Sequence, residues 1–271
     1  MVHPLIQLAK EQYYLGSHLT HSLLTSRTNA HDNEFKTEAD RLLNNIDEFP
    51  HAFVLACLMD TSVDADVAWA IPYKVKQALG SFEINDLYKV SRDEYIDMFN
   101  GEKKWHRYPA RNAGFFFEAV QKIVENTFLN RDASRIWAGK PDAQDVILRF
   151  LDFKGCGFKI ANMAPNLLYR YYGVEFSDYS SIDIAPDIHT IRVFQRLGLT
   201  PYAEDHEATR IYTICAARDL NPDFPGIVDG LCWEVGRNYC NPRSPKCNEC
   251  PFTDFCRKQV VRKQNIWDKQ D

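Results

Sequence analysis

Residues 151–162 read Leu-Asp-Phe-Lys-Gly-Cys-Gly-Phe-Lys-Ile-Ala-Asn. Helical periodicity precedes and follows it, while Gly155 and Gly157 bracket a single residue. Because glycine adopts positive φ without steric cost, the pair predicts a tight turn between two helices. Such a turn is common as a plain connection. It also exposes backbone N–H groups at a helix N-terminus, where an anion can bind.

Lys159 is predicted to lie in the first turn of the second helix. A cation is unfavourable there, because the N-terminus is the positive end of the helix dipole. The side chain therefore either extends into solvent or is retained for its amine. A nucleophilic lysine needs a lowered pKa, which burial and the helix N-terminus can both supply. The local sequence leaves both interpretations open.

Helical periodicity dominates the 271 residues, so we expect an all-α protein. No apolar run is long enough to span a membrane, and the N-terminus lacks the pattern of a signal peptide. We therefore expect an intracellular protein that is not secreted, in which thiols stay reduced. Residues 52–59 are apolar on every side, as in a helix at the centre of a bundle. The predicted helices before the glycine pair are 4–25, 33–48, 52–59, 64–79, 92–99, 112–129 and 142–151.

Residues 105–112 read Trp-His-Arg-Tyr-Pro-Ala-Arg-Asn and are dense in planar and cationic groups. Such side chains can wedge between bases and hold phosphates, and they can equally cover the edge of a core. His106, Arg107 and Arg111 are the candidate DNA contacts in this loop. The polar patch that begins at Asp60, directly after the buried helix, is either a pocket or a plain helix end.

Residues 186–194 read Pro-Asp-Ile-His-Thr-Ile-Arg-Val-Phe, and Asp187 has the position of an N-cap. Apolar residues then recur at helical spacing until Gly198, which predicts the end of the helix. The carboxylate of Asp187 either only caps the helix or also stabilises a developing cation. The helix N-terminus favours its ionised form, which the second role requires.

Four of the eight cysteines fall within residues 240–256, with the spacing C-x6-C-x2-C-x5-C. The segment has few aliphatic side chains, and a bound inorganic centre can order such a segment in place of a packed core. Zinc, an iron–sulfur cluster and two disulfides are the alternatives. The spacing favours a cluster, because zinc sites tend to use two close C-x2-C pairs and only one is present. The remaining cysteines are predicted to be buried thiols: Cys57, Cys156, Cys215 and Cys232.

Charge is unevenly distributed along the chain. The formal net charge of −5 argues mildly against nucleic-acid binding as a bulk property. Residues 236–263 nevertheless carry seven lysines and arginines against Glu249 and Asp254. The C-terminal end is therefore either a basic binding surface or a solvated charged tail.

The hairpin, the 186–194 segment and the cysteine quartet, in this order, resemble the helix-hairpin-helix DNA glycosylase superfamily. The resemblance is to its endonuclease III branch and extends over residues 40–258. The cysteine spacing matches that branch's cluster loop. The hairpin resembles the family's Leu-Pro-Gly-Val-Gly-x-Lys-Thr-Ala, with Lys154 in place of proline. Asp187 falls on the family's invariant aspartate, and Lys159 on the lysine of its lyase-competent members.

The resemblance implies two helical domains that flank a DNA-binding cleft. Residues 45–180 would form a six-helix barrel domain that ends in the helix-hairpin-helix. Residues 1–44 and 181–271 would form the iron–sulfur domain, with a 4Fe-4S cluster. The implied cluster ligands are Cys240, Cys247, Cys250 and Cys256.

The resemblance also implies roles for single residues. Lys159 would attack the sugar of a flipped nucleotide, and Asp187 would activate the amine and stabilise the transition state. Gly155 and Gly157 would bind a DNA phosphate, with a monovalent cation at the hairpin. Phosphate contacts would come from Arg243 and Lys246, and the duplex-filling wedge from His106 and Arg107.

The expected activity is that of a DNA glycosylase with AP-lyase activity, acting as a monomer on double-stranded DNA that carries a damaged base or an abasic site. The sequence departs from the branch where a pocket glutamine is replaced by Met59 and Asp60. The range of lesions is therefore expected to differ. Two alternatives remain, a monofunctional glycosylase for alkylated or mismatched bases and a non-catalytic DNA-binding iron–sulfur protein.

Overall fold

The computed structural model describes residues 2–11, 33–201 and 205–258, and every regular element within these ranges is a helix. The prediction of an all-α protein is confirmed. The helices, numbered along the chain, are α1 (Pro4–Ala9), α2 (Asn33–Asn44), α3 (Pro50–Met59), α4 (Ala65–Trp69), α5 (Ile71–Leu79), α6 (Ile84–Lys89), α7 (Arg92–Asn100), α8 (Pro109–Glu125), α9 (Ala143–Leu151), α10 (Phe158–Tyr172), α11 (Ile188–Leu197), α12 (His206–Leu220) and α13 (Asp229–Asn238).

The described residues pack as two compact units. The first unit comprises residues 33–141 and 145–175, and the second comprises residues 2–11, 142–144, 176–201 and 205–258. Short 3₁₀ turns lie at Ala133–Ile136, Pro225–Val228 and Cys247–Glu249. None of the helices in the described ranges is long and apolar enough to cross a membrane.

Helix α3 is the centre of the first unit. All of its residues are buried, and it contacts α2, α4, α5, α8 and α10. The ring of Phe53 packs against Trp69, Trp137, Phe150 and Tyr172, with centroid separations of 5.4–6.3 Å. A fully buried phenylalanine contributes about 1.5–3 kcal/mol. The prediction of a central buried helix at 52–59 is therefore confirmed.

Prolines set several helix boundaries that the periodicity missed. The helix predicted at 64–79 is two helices, α4 and α5, separated at Ala70. Pro72 lies in the first turn of α5, where it has no N–H to continue the ladder and restricts the residue before it. Helix α8 begins at Pro109, before the predicted start, because proline fits the first helical position. Residues 12–25 of the helix predicted at 4–25 lie outside the described residues.

His51 is a buried titratable group in α3, with 4% of its surface exposed. Its ring stacks on Phe82 at a centroid separation of 5.2 Å, and its Nε2 lies 2.8 Å from the Phe82 carbonyl oxygen. Burial lowers the pKa of His51 to about 4, from an ordinary value of 6.5. The folded state therefore holds this imidazole neutral.

We expect the free energy of unfolding to fall as the pH drops from 6.5 towards 4. Over this window the unfolded chain protonates His51 and the folded chain does not, so the His51 contribution, about 3 kcal/mol, is lost. Urea denaturation at a series of pH values measures it. His51→Gln retains a donor for Phe82 and cannot titrate, so its stability should change less with pH. Equal slopes for the two proteins would contradict this assignment.

In the second unit, α11 and α13 pack at a glycine. A Cβ atom on Gly236 would lie 2.7 Å from the Cβ of His189 and 2.9 Å from its carbonyl oxygen. Only a residue without a side chain allows this approach. The segment that leads into α11 is fixed by Asp183, which accepts two bonds from the Arg218 guanidinium at 2.7 and 2.6 Å. The start of α11 is therefore positioned by its close packing against Gly236 and by the Asp183–Arg218 hydrogen bonds.

Candidate functional site

The hairpin between α9 and α10 contains two glycines with different roles. Gly155 has φ +89°, which confirms the predicted turn with positive φ. A Cβ atom there would lie 2.5 Å from Cδ2 of Phe115. Gly157 has an extended backbone and caps α10 with no side-chain hydrogen bond, and a Cβ atom there would meet nothing within 4 Å. The turn therefore requires glycine at 155, while residue 157 leaves open space at the start of α10.

Lys154, which replaces the proline of the family's hairpin, forms an ion pair with Glu118 of α8. The Nζ to Oε1 distance is 2.8 Å. Two residues before Lys154 in the chain, Asp152 pairs with Lys122, also of α8. Two ion pairs therefore join the hairpin to α8. In one pair the hairpin supplies the cation, and in the other it supplies the anion.

Lys159 lies in the first turn of α10, as predicted, and its side chain is 45% exposed. Its Nζ is 3.5 Å from Oδ1 of Asp60, whose side chain is only 10% exposed. The other carboxylate oxygen of Asp60 accepts the indole N–H of Trp69 at 3.3 Å. The amine is therefore open to solvent on one side and faces a held carboxylate on the other.

Met59 and His106 lie in the core beside this carboxylate. Met59 is fully buried, and His106 is 2% exposed. The Nδ1 atom of His106 accepts the Tyr108 amide and the side-chain amide of Asn112, which leaves Nε2 to donate to the Met59 carbonyl oxygen at 3.3 Å. Burial lowers the pKa of His106, so the ring is neutral near pH 7. His106 thus joins the 105–112 loop to the end of α3. The side chains of Met59 and His106 are both shielded from solvent.

The exposed part of this loop is formed by Tyr108 and two arginines. Tyr108 is 42% exposed, and the guanidinium carbons of Arg107 and Arg111 lie 5.4 and 4.5 Å from its ring centroid. A planar side chain flanked by two cations can stack on a base while the cations contact phosphates. The loop therefore presents these three residues at the surface.

Asp187 is the N-cap of α11, as predicted. One of its oxygens accepts the backbone N–H groups of His189 and Thr190, both at 2.8 Å. The helix ends at Gly198, which has φ +76°. A carboxylate that accepts two amide donors at a helix N-terminus is held in one orientation.

Replacing Asp187 should show how much its capping hydrogen bonds contribute to the stability of the fold. Asp187→Ala should lower the free energy of unfolding by about 1 kcal/mol, because two backbone donors lose their acceptor. Asp187→Ser restores a capping oxygen without a charge, so most of that stability should return. Thermal denaturation of both variants measures the difference. Equal stabilities for the serine and alanine variants would contradict the capping role.

The cysteine loop is fastened to α11 by two arginines. Arg192 donates to the carbonyl oxygens of Cys240 and Gly236 at 2.6 and 2.7 Å. Arg196 donates to Sγ of Cys240 at 3.2 Å and to the carbonyl oxygen of Asn241 at 2.8 Å. The helix that Asp187 caps therefore also holds the loop.

The four loop thiols are only partly buried, and none of the described cysteines forms a disulfide. The described residues contain no group of three or more His, Cys, Asp or Glu side chains close enough to hold a metal ion. The donor chemistry nevertheless fits an iron–sulfur cluster, since four thiols lie in one loop. Cys240 receives a guanidinium N–H and Cys256 receives the Lys258 amide at 3.4 Å, bonds of the kind that stabilise ligating thiolates.

The basic side chains of the loop, Arg243 and Lys246, are exposed. Their predicted contacts with phosphate stay a prediction. Of the other cysteines, Cys57 and Cys232 are buried and Cys156 is partly buried. The prediction of a buried thiol is wrong for Cys215. The buried residues of α12, such as Thr213 and Ala217, recur every four residues, and Cys215 lies on the opposite face.

Residue patterns missed several side chains that build the site: Trp69, Tyr108, Arg192 and Arg196. Arg192 and Arg196 are four residues apart on α11 and share one face of the helix. This spacing is a sequence pattern from which their common role could have been predicted. The contact of Trp69 with Asp60 has no local signature, because it depends on how α4 returns towards the end of α3.

Comparison with known proteins gives two relatives, while no protein-family model matches the chain. Over 148 residues the chain is 26% identical to endonuclease III of Thermotoga maritima, covering 54% of this chain and 60% of that protein. Over 199 residues it is 23% identical to adenine DNA glycosylase of Arabidopsis thaliana, covering 73% of this chain and 29% of that protein. The chain thus spans less than two thirds of either relative.

A solved structure of similar fold is that of an endonuclease III–DNA covalent intermediate, trapped as an estranged-adenine complex. The TM-score is 0.52 and the identity is 15%, with 84% of this chain and 96% of that chain covered. This likeness shows that the two proteins share a fold.

Proposed function

The chain resembles the endonuclease III-like helix-hairpin-helix DNA glycosylases in sequence and shares their fold, and from this premise we propose that it is a base-excision repair glycosylase. Its partner is double-stranded DNA that contains a damaged base or an abasic site. The observation that carries this proposal is Lys159, which follows the hairpin glycines and presents a partly exposed amine. An accessible amine beside an anion-binding turn suits attack on a nucleotide.

The reaction we propose begins with extrusion of the damaged nucleotide from the duplex. The neutral amine of Lys159 attacks C1′ of the sugar, a nitrogen–carbon bond forms, and the base leaves with the electrons of the glycosidic bond. The sugar ring then opens to a Schiff base with Lys159, which allows β-elimination of the 3′ phosphate. The chain thereby has both glycosylase and AP-lyase activities.

Other residues take supporting roles in this proposal. Asp187, fixed as the N-cap of α11, stabilises the positive charge that develops on the sugar. The backbone N–H groups around Gly155 and Gly157 hold a phosphate, and a monovalent cation bound at the hairpin would add positive charge beside it. Arg107 and Arg111 contact the duplex beside Tyr108, and His106 acts by holding their loop to the core.

The cysteine loop would hold a 4Fe-4S cluster through Cys240, Cys247, Cys250 and Cys256. The cluster would supply a structural role, because it would order the loop. Arg243 and Lys246, which are exposed in this loop, contact the DNA backbone, and such contacts position a protein without reading sequence. Iron and acid-labile sulfide in the purified protein support this assignment, and zinc in their place contradicts it.

Borohydride trapping tests the proposed function. Incubation with duplex DNA that carries one abasic site should give a covalent adduct in the presence of borohydride, because the reagent reduces the Schiff base. A panel of duplexes with single oxidised, deaminated, alkylated or mismatched bases then identifies the lesion. Base release without an adduct or strand cleavage would select a monofunctional glycosylase. Tight binding without turnover on any duplex would select a non-catalytic DNA-binding protein.

A further inference from the structure

Asp60 and Lys159 form a carboxylate–amine pair whose chemistry extends the proposed function. The amine must lose a proton before it can attack, and Oδ1 of Asp60 lies 3.5 Å from Nζ. We infer that Asp60 accepts this proton and is a second catalytic carboxylate, in addition to Asp187. This inference rests on the proposed function of Lys159 as the nucleophile.

The carboxylate of Asp60 is held in one orientation. Asp60 ends α3, a helix in which every residue is buried, and its own N–H donates to the Cys57 carbonyl oxygen at 3.1 Å. Its Oδ2 accepts the Trp69 indole at 3.3 Å, which leaves Oδ1 towards the amine. A preorganised proton acceptor beside a nucleophile is the arrangement that general base catalysis requires.

Three titratable groups close to Asp60, namely Cys57, His106 and Arg111, are neutral or engaged elsewhere. Burial raises the pKa of the Cys57 thiol well above its usual value, and burial lowers the pKa of His106. Both nitrogens of His106 are occupied by other partners. The Arg111 guanidinium lies over Tyr108. Within the described ranges, Lys159 is therefore the charged side chain in ion-pair contact with Asp60.

The proton transfers balance over the base-release step. The ammonium N–H bond of Lys159 breaks and an O–H bond forms on Oδ1 of Asp60. The free amine forms its bond to C1′ as the glycosidic bond breaks, and the electron pair of that bond stays on the base nitrogen. The proton on Asp60 then passes to the leaving base, so Asp60 returns to the carboxylate form.

Single-turnover trapping rates on abasic duplex DNA, measured from about pH 6 to about pH 10, test this inference. Asp60→Asn should lower the rate about 100-fold at neutral pH, because general base catalysis is lost. The rate should recover as the pH rises, since hydroxide then removes the lysine proton. The matched control is Asp64→Asn, the same chemical change at an exposed aspartate nearby, and it should keep the wild-type rate and profile.

Three outcomes overturn the inference. The first is a wild-type trapping rate for Asp60→Asn, and the second is a trapping rate above that of the wild type at low pH. The third is a trapping rate reduced by the same factor at every pH, which would indicate a purely structural role for Asp60. Absence of an adduct with the wild-type protein would instead overturn the proposed function, and this inference with it.

A second variant keeps the test decisive if Asp60→Asn does not fold. Trp69→Phe removes the indole donor and leaves the carboxylate in place. It should slow trapping at neutral pH by about tenfold, within the range set by loss of one orienting hydrogen bond. Affinity for uncleaved abasic duplex should stay unchanged. A wild-type trapping rate for this variant would contradict the positioning of Asp60.

Discussion

Lys159→Ala is expected to abolish the borohydride-trapped adduct on abasic DNA. The side chain would be the nucleophile, so its removal eliminates the Schiff base and with it the β-elimination. Strand cleavage should fall by at least about 10³-fold, the order of loss seen when an enzyme nucleophile is removed. Gel separation of trapped and free DNA, together with the rate of strand cleavage, measures both effects.

The matched control for this experiment is Lys154→Ala. Lys154 belongs to the same hairpin and carries the same charge, but it pairs with Glu118 and is more exposed than Lys159. This variant should retain the adduct, so charge loss in the hairpin is separated from loss of the nucleophile. An equal amount of adduct with Lys159→Ala and with wild-type protein would exclude Lys159 as the nucleophile of the lyase reaction. Base release that survives in Lys159→Ala would support the monofunctional alternative.

Three features of the fold could be predicted from sequence because each depends on neighbouring residues. The burial of α3 follows from an uninterrupted apolar run. The N-cap at Asp187 follows from a proline, an acceptor and a following apolar stripe. The turn at Gly155 follows from two glycines between helices. In each case the local chemistry and the tertiary structure favour the same conformation.

The contacts within the site could not be predicted, because they join residues that are distant in sequence. Asp60 follows the last residue of α3 and Lys159 lies in α10, so their proximity depends on how α10 packs on α3. The residue type of Asp60 indicated only a pocket or a helix end. Its contact with an amine gives it a different role, as a proton acceptor. His106 shows the same effect, since its ring belongs to the core and only the flanking arginines are exposed.

Gly155→Ala is expected to lower the stability of the fold strongly. Two costs add at this position. A side chain at φ +89° is strained by about 1–2 kcal/mol, and forcing atoms into a packed site costs about 1–3 kcal/mol. The Cβ atom would lie 2.5 Å from Cδ2 and 2.9 Å from Cγ of Phe115, so the whole ring would have to move. We therefore expect the free energy of unfolding to fall by about 3 kcal/mol, as measured by urea denaturation.

The control is Gly157→Ala, the same substitution two residues along the turn. Its backbone is extended at φ −110° and ψ −178°, and its Cβ atom meets nothing within 4 Å, so stability should change by less than about 0.5 kcal/mol. In the Phe115→Ala background, Gly155→Ala should lose only the cost of positive φ relative to Phe115→Ala alone, because the ring that the Cβ atom would meet is gone. Equal losses for the two glycine variants would contradict the turn geometry. A large loss of unfolding free energy for Gly155→Ala alone would mean that the positive-φ backbone at Gly155 positions α10, and Lys159 with it.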